Sequence, residues 1–311
     1  MMTSRLRPLV LPALVSSSAL VACVAGLDSF VHNPTHCSTV GPATCEDVTE
    51  DHLKVCTACD APYPWEDFGI PADAPQQVLV TLSDDKKNDA YFIPSSGAHP
   101  DITVVYTHGN RTGIEHYLNR VGLLYKLGVN LFVIEYRGYG KSEDPNKPSE
   151  TQLYDDTLRA RAALDTVLAG APSTVYYYGY SVGALPALQL ALDEPPCGLL
   201  LEAPWPSVQA FSNDSTHAAV PASFLTVDTY DNIGKVGGLT VPLLLVHGTA
   251  DDFILIEHSE SLFAAAPEPK EFVRVEGAGH GNYGEDIPTV LGEEKYLALV
   301  EEFVTSGACA P

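Results

Sequence analysis

From about residue 76, short β-branched or apolar runs alternate along the chain with segments of helical periodicity. This alternation is typical of a mostly parallel β-sheet covered by helices on both faces. The pattern predicts eight strands, at 77–82, 89–93, 102–107, 130–135, 174–180, 198–202, 241–246 and 271–275. It predicts helices at about 114–127, 150–169, 183–193, 257–266 and 289–305. We therefore predict one α/β domain over residues 76–311, which is a normal length for a single domain of this class.

Two local features refine this prediction. Ser149 followed by Gln152 forms a capping box at the start of the helix predicted at 150–169. Residues 204–239 interrupt the alternation with Pro, Ser, Asn and Gly. Because this stretch lies between two predicted strands, we expect a short lid insertion over the strand ends, with Phe211, Phe224 and Leu225 facing the substrate.

The sequence Gly179-Tyr180-Ser181-Val182-Gly183 lies directly between a predicted strand and a predicted helix. This G-x-S-x-G pattern places a serine on a strained turn, where two glycines let the strand and the helix pass closely. The hydroxyl then projects from the top of the sheet, and the N-terminus of the following helix favours developing negative charge. The context predicts that Ser181 is a catalytic nucleophile.

A nucleophilic serine needs a base, and the base needs a carboxylate to hold it. Asp251 follows the strand predicted at 241–246, and His280 follows the last predicted strand between two glycines. We expect Asp251 to be the acid and His280 the base. Asp252 is the competing acid, with helix capping as its structural alternative.

The oxyanion hole needs two backbone N–H groups aimed at one point. Val182, the residue after the nucleophile, supplies the first. The loop after the strand at 102–107, which contains His108 and Gly109, should supply the second. Asn110 is the preferred donor there and Arg111 the second choice.

Three further segments accompany these motifs: Glu135-Tyr136-Arg137-Gly138-Tyr139-Gly140-Lys141-Ser142, Tyr230-Asp231-Asn232-Ile233 and His247-Gly248-Thr249-Ala250-Asp251. Together the segments run in order through residues 102–282. These segments and their order resemble those of the α/β-hydrolase superfamily of serine hydrolases, and more closely those of its α/β-hydrolase-domain and serine-peptidase-like branch. The resemblance implies the α/β-hydrolase fold, with Ser181 as nucleophile, His280 as base, Asp251 as acid, and Asn110 and Val182 as oxyanion donors.

The expected activity is hydrolysis of a carboxylic ester or thioester, on a small-molecule or lipid acyl substrate, through an acyl-enzyme on Ser181. This mechanism requires no cofactor and no metal. Two alternatives remain open. The same triad serves a serine peptidase or amidase, and a hydrolase fold can also act as a non-catalytic surface binding protein, with the cysteine-rich segment contacting a partner.

The N-terminus has the composition of an export signal. Two arginines precede a mostly apolar run that ends in Leu20-Val21-Ala22-Cys23. These four residues resemble the lipobox of bacterial lipoproteins, which implies a signal peptide at 1–22 and a lipid on the thiol of Cys23. The expected location is the bacterial cell envelope, with the protein anchored to the membrane through this lipid. An ordinary signal peptide cut near Ala22 or Ala25, or an uncleaved anchor, would explain the same pattern.

The chain has seven cysteines. If Cys23 carries the lipid, six remain, and an even number in an exported chain favours disulfide bonds. Four fall within residues 37–59 of the cysteine-rich segment 23–75, a stretch with little apolar periodicity that local disulfides would stabilise. The other two lie far apart in the main domain, where they could pair with each other. These six are Cys37, Cys45, Cys56, Cys59, Cys197 and Cys309. Zinc binding is the alternative for the four clustered cysteines, but their spacing is irregular.

The charge balance excludes one class of partner. Lys and Arg total 17 against 40 Asp and Glu, a formal net charge of −23. A protein that tracks nucleic-acid phosphates needs a basic surface. We therefore expect no nucleic-acid partner, and the sequence gives no indication of the oligomeric state.

Overall fold

The structure is a computed structural model, and it describes residues 32–34, 36–39, 47–48, 53–54, 59–95, 97–170, 173–215, 227–281 and 284–306. Several predicted features lie outside these residues. They are the signal peptide at 1–22, the lipid site Cys23, the cysteines Cys45, Cys56 and Cys309, and the lid residues Phe224 and Leu225.

One eight-stranded sheet organises the described part of the chain. Its strands, numbered along the chain, are β1 Gln76–Thr81, β2 Lys87–Ile93, β3 His99–Thr107, β4 Val129–Ile134, β5 Thr174–Tyr180, β6 Gly198–Glu202, β7 Leu243–Gly248 and β8 Lys270–Val275. The spatial order is β8-β7-β6-β5-β3-β4-β2-β1. Only β2 runs against its neighbours, β1 and β4. The predicted mostly parallel sheet of eight strands is confirmed.

Helices cover both faces of this sheet. They are α1 Leu118–Tyr125, α2 Glu150–Leu168, α3 Ala184–Asp193, α4 Val208–Ser215, α5 Asn232–Lys235, α6 Ile256–Ala265, α7 Ile287–Leu291 and α8 Glu293–Thr305. The predicted capping box at α2 is present, with Ser149 and Gln152 bonded reciprocally. The single helix predicted at 289–305 is wrong, because Gly292 adopts a φ of 88° and separates α7 from α8.

Two apolar layers hold the helices to the sheet. On one face α1 and α8 pack on side chains such as Val104, Leu131 and Val246. On the other face α2, α3 and α6 pack on the alternate side chains of the same strands. The inner strands are therefore buried on both sides, as expected for a parallel sheet, whereas the edge strands β1 and β8 carry exposed residues.

A third apolar cluster lies above the carboxyl ends of the strands. It joins Trp205 and Phe211 of the lid insertion to Val182 and Tyr139, which follow two different strands. Of the predicted insertion at 204–239, the structure describes residues 204–215 and 227–239. This part forms α4, α5 and a 3-10 turn at Val236–Gly238.

The segment before the sheet is attached to the main domain at several points. Asn33–Pro34 pairs in parallel with Arg111–Thr112, and a disulfide joins Cys37 to Cys59 with a Cα–Cα distance of 5.1 Å. Farther along, Tyr63, Trp65 and Ile70 belong to the main hydrophobic core. The packed body therefore begins N-terminal of residue 76, which the sequence predicts as the start of the domain.

Cys197 is also disulfide-bonded, and its predicted partner Cys309 lies outside the described residues. Within the described ranges, none of the helices combines the length and the apolar character needed to cross a membrane.

Candidate active site

Ser181 lies at the sharp turn between β5 and α3. Its φ is 53°, in the left-handed region that side-chain-bearing residues rarely adopt. Both flanking glycines are required by close approach. A Cβ at Gly179 would lie 2.6 Å from the carbonyl oxygen of Gly183, and one at Gly183 would overlap the carbonyl oxygen of Thr107. The Thr107 hydroxyl also donates to the Gly183 carbonyl at 2.8 Å, which fixes the turn against β3.

The three residues predicted as a triad form one chain of hydrogen bonds. The Ser181 Oγ lies 2.9 Å from His280 Nε2, and His280 Nδ1 lies 2.8 Å from Asp251 Oδ2. Their parent strands β5, β7 and β8 are parallel, so all three residues emerge at the same edge of the sheet. A carboxylate only accepts, so His280 donates from Nδ1 and leaves Nε2 to accept the serine proton.

The structure distinguishes the two adjacent aspartates. Asp251 is buried and also accepts the amides of Phe253 and Ile254 through Oδ1, whereas Asp252 is exposed. Burial alone would raise the pKa of Asp251, but hydrogen bonds from His247 and His280 hold that pKa well below its usual value. The group that faces His280 is therefore a stable carboxylate.

The two candidate oxyanion donors of the loop after β3 also differ. The amide of Arg111 donates to the Tyr117 hydroxyl at 3.0 Å, so it is occupied within the protein. The Asn110 Oδ1 accepts from the Tyr139 hydroxyl at 2.7 Å, which orients that residue. Val182 is buried in the 3-10 turn that begins at Ser181. Asn110 and Val182 therefore remain the candidate pair.

Tyr180 supports the loop that carries His280, a role that the sequence did not reveal. Its hydroxyl donates to the His280 carbonyl at 2.5 Å, and its ring stacks on the imidazole with centroids 5.7 Å apart. Burial raises the pKa of Tyr180 well above its usual value, so the hydroxyl keeps the proton that it donates. The G-x-S-x-G pattern allows any residue at this position. The only sequence signal for a role of Tyr180 is its place directly before Ser181.

A buried ion pair lies beneath Tyr180. The Arg120 guanidinium is 4.4 Å from the centre of the Tyr180 ring and 2.7 Å from Glu202 Oε1. Arg120 and Glu202 come from α1 and β6, which are far apart in sequence. Because no local pattern links them, this pair could not be predicted from the sequence.

Other histidines and charged groups near the strand ends are engaged in holding loops. His108 Nε2 contacts Glu135 Oε1 at 2.9 Å, and His247 Nδ1 contacts the Ser259 hydroxyl at 2.6 Å. Arg137 is buried and binds Asp156 through two nitrogens, at 2.6 and 2.8 Å. These partners give the side chains structural roles.

An aromatic wall borders His280. The Phe253 ring centroid is 5.0 Å from that of His280, and Phe211 packs on Phe253 at 5.5 Å. Trp205 in turn packs on Phe211 at 5.4 Å. Because Phe253 is 47% exposed while Phe211 is 6% exposed, the wall presents apolar surface to solvent beside the base.

Among the described residues, one group has the spacing of a metal site, namely His36, Cys37 and Cys59. The two thiols of this group are joined in a disulfide, so they cannot act as thiolate ligands.

Comparisons with known proteins agree with the fold. A family model described as serine aminopeptidase, S33, matches residues 98–227. The α/β hydrolase domain-containing protein 17B of Xenopus tropicalis is 33% identical over 247 residues, which cover 78% of this chain and 79% of that protein. The human protein of the same name is 30% identical with the same coverage.

Solved structures show the same architecture. A Pyrococcus furiosus esterase superposes with a TM-score of 0.60 at 20% identity, over 78% of this chain and 95% of that chain. A puromycin-hydrolysing peptidase of Mycobacterium tuberculosis superposes with a TM-score of 0.58 at 16% identity, over 75% of this chain and 39% of that chain. At these identities the likeness shows the fold alone.

Proposed function

Since this chain belongs to the α/β-hydrolase superfamily, we propose that it is a serine hydrolase that cleaves a carboxylic ester or thioester through an acyl-enzyme on Ser181. The observation that carries the proposal is the hydrogen-bonded chain from Ser181 Oγ through His280 to Asp251, with distances of 2.9 and 2.8 Å. Nucleophile, base and orienting carboxylate are the minimum that this chemistry requires.

In the first half of the reaction, His280 Nε2 takes the Ser181 proton as Oγ attacks the substrate carbonyl carbon. The backbone N–H groups of Asn110 and Val182 stabilise the oxyanion that forms. When the carbon–oxygen or carbon–sulfur bond breaks, His280 returns the proton to the leaving group. In the second half a water molecule loses a proton to His280, attacks the acyl carbon and releases the acid, and Ser181 recovers its proton.

The aromatic wall of Phe253, Phe211 and Trp205 supports an apolar acyl or aryl group in the substrate. Burying such a group against the exposed Phe253 ring, which Phe211 and Trp205 support from behind, gains about 25 cal/mol for each Å² removed from water. No charged side chain is part of this wall, so it offers an anionic acyl group no partner of opposite charge.

A serine-reactive fluorophosphonate probe tests the proposal directly. We expect the purified wild-type protein to be labelled, Ser181→Ala to lose both labelling and p-nitrophenyl ester turnover, and Ser261→Ala to keep both. Ser261 is a suitable control because its hydroxyl binds the His258 carbonyl, away from the triad. Labelling that survives Ser181→Ala would contradict the assignment of Ser181 as the nucleophile. Absence of both labelling and turnover across short and long acyl chains would favour the non-catalytic binding protein.

Amide hydrolysis is the second candidate. Its support is the matching family model, described as a serine aminopeptidase, and the peptidase among the structural neighbours. A p-nitrophenyl ester and a p-nitroanilide of the same acyl group separate the two activities. We expect faster turnover of the ester, and a larger kcat/KM for the anilide would reverse the order of the two proposals.

We also propose that the enzyme is exported to the bacterial cell envelope and anchored there by a lipid on Cys23. The support is the signal-like sequence at 1–22 and the lipobox-like residues before Cys23. The Cys37–Cys59 disulfide is consistent with an oxidising compartment.

A further inference from the structure

The described residues 32–34 and 36–39, here called the strap, lie against the loop that carries Asn110. Its residues Asn33–Pro34 pair with Arg111–Thr112, directly after Asn110. A few residues later the Cys37 amide donates to the Gly140 carbonyl at 2.7 Å. The strap therefore contacts both the loop after β3 and the turn after β4, and the disulfide to Cys59 closes it covalently.

His32 begins the strap and is buried, with 1% of its surface exposed. Its Nδ1 lies 3.2 Å from the Tyr139 hydroxyl, and its Nε2 lies 2.5 Å from the Tyr230 hydroxyl. Tyr139 comes from the turn after β4, whereas Tyr230 comes from the lid insertion. A single imidazole thus joins the strap, the lid insertion and the strand-end turns.

The directions of these bonds form one ordered chain. The Tyr139 hydroxyl donates to Asn110 Oδ1 at 2.7 Å, so its oxygen is left to accept from His32 Nδ1–H. The neutral imidazole that fits this arrangement has Nε2 as its acceptor, and the Tyr230 hydroxyl donates to it. Burial raises the pKa of Tyr230 well above its usual value, so Tyr230 keeps its proton.

We propose that His32 is a positioning residue for the oxyanion hole. It fixes Tyr139, which fixes the Asn110 side chain, and this in turn holds the Asn110 backbone N–H where the oxyanion develops. The inference rests on the proposed function and deepens it. A segment outside residues 98–227, which the family model matches, thereby completes the active site.

The energetic basis is the cost of leaving buried polar groups without partners. Removing the imidazole would take the His32 bond from both hydroxyls; Tyr139 would keep its bond to Asn110, whereas the buried Tyr230 hydroxyl would lose its His32 partner. An unsatisfied buried polar group costs roughly 1–3 kcal/mol. The loop can recover part of this cost by rotating Asn110 away from its place. Because an oxyanion donor acts in the transition state, such a displacement lowers kcat and leaves KM nearly unchanged.

Steady-state kinetics on a p-nitrophenyl ester test the role of His32. We expect His32→Ala to lower kcat about tenfold with KM within twofold, which is less than the full loss of an oxyanion donor. His32→Gln should restore most of kcat, because its amide supplies one donor and one acceptor. His36→Ala is the matched control from the same strap. The His36 side chain contacts Ser38 and the Ser142 carbonyl, neither of which belongs to the Tyr139–Asn110 chain, and the variant should stay within twofold of wild type.

A double-mutant cycle tests whether His32 acts through Tyr139. Tyr139→Phe should lower kcat to a similar extent, and adding His32→Ala to it should lower kcat little further, because both changes break the same chain. Multiplicative losses in the double mutant would overturn the proposed route through Tyr139. If His32→Ala does not fold, the kcat values of His32→Gln and Tyr139→Phe are compared with that of wild type instead. A Tyr139→Phe variant with the wild-type kcat would then overturn the proposal.

The possible failures are distinguishable. An active wild-type enzyme whose kcat is unchanged by His32→Ala, or whose KM alone rises, would overturn the role of His32 and leave the hydrolase assignment intact. A wild-type protein that turns over no ester and takes no fluorophosphonate label would overturn the hydrolase assignment, and with it the catalytic role of His32.

Discussion

Asp251 and Asp252 are chemically identical neighbours that occupy opposite environments. Asp251 is enclosed and accepts from His280, Phe253 and Ile254, whereas the side chain of Asp252 faces solvent. The sequence favours Asp251 as the acid and leaves Asp252 as its competitor. The choice depends on which side chain the turn directs inward, and that is a property of the folded backbone.

Replacement of each aspartate by asparagine tests this assignment. In Asp251→Asn the new amide group would donate to His280 Nδ1, which moves the imidazole proton to Nε2 and prevents it from accepting the Ser181 proton. We expect kcat to fall by roughly 10³ to 10⁴-fold. Asp252→Asn is the matched control and should remain within twofold of wild type. If Asp251→Asn and Asp252→Asn both kept the wild-type kcat, neither carboxylate would orient the base.

At the scale of elements, α2 and the lid insertion are joined through Glu150. This residue begins α2, and its Oε2 accepts the amides of Thr229 and Tyr230 at 2.9 and 3.0 Å. Burial alone would raise the pKa of Glu150, but these amides and Lys235 lower it below its usual value. The carboxylate therefore stabilises the base of the insertion in its charged form.

The pH dependence of stability tests the Glu150 contact. Because the pKa is lower in the folded state, the contribution is fully present above the unfolded-state value, near 4.3, and is lost as pH falls through the folded-state value. We expect Glu150→Gln to lower the free energy of unfolding by about 1 kcal/mol at pH 7, with the difference shrinking below about pH 4. Urea denaturation from pH 7 to pH 3 measures it.

Asp155→Asn on the same helix is the control, since its exposed pair with Arg159 contributes little. A gap between wild type and Glu150→Gln that stays constant with pH would contradict the explanation.

The elements differ in how far the sequence predicts them. All eight strands were predicted to within a few residues, because buried parallel strands are short apolar runs that local patterns reveal. Their spatial order, and the reversal of β2, depend on pairing between distant segments, which no local pattern encodes. The sequence contains Gly292 but does not reveal its φ of 88°, so it predicts α7 and α8 as one helix. The strap was missed because its partners, Arg111 and Gly140, lie far along the chain.

At the scale of the whole molecule, charge and anchoring act in opposite directions. The formal net charge of −23 repels anionic lipid headgroups, and salt weakens this repulsion because it screens exposed charges beyond about 10 Å. The strap begins at His32, nine residues after Cys23, so an extended tether would span at most about 32 Å. A lipid on Cys23 would therefore hold the active site near the membrane despite the repulsion.

Vesicle binding separates the two effects. We expect the lipid-bearing protein to co-sediment with both neutral and anionic vesicles, and Cys23→Ser, which has no thiol for the lipid, to remain in the supernatant with both. Binding of the lipid-bearing protein to anionic vesicles should strengthen as salt rises from about 10 to about 150 mM. Over this range the Debye length falls from about 30 Å to about 8 Å, so the repulsion is screened at shorter distances. If Cys23→Ser bound anionic vesicles as well as wild type, the protein surface or an uncleaved N-terminal anchor, and not a lipid on Cys23, would hold the enzyme at the membrane.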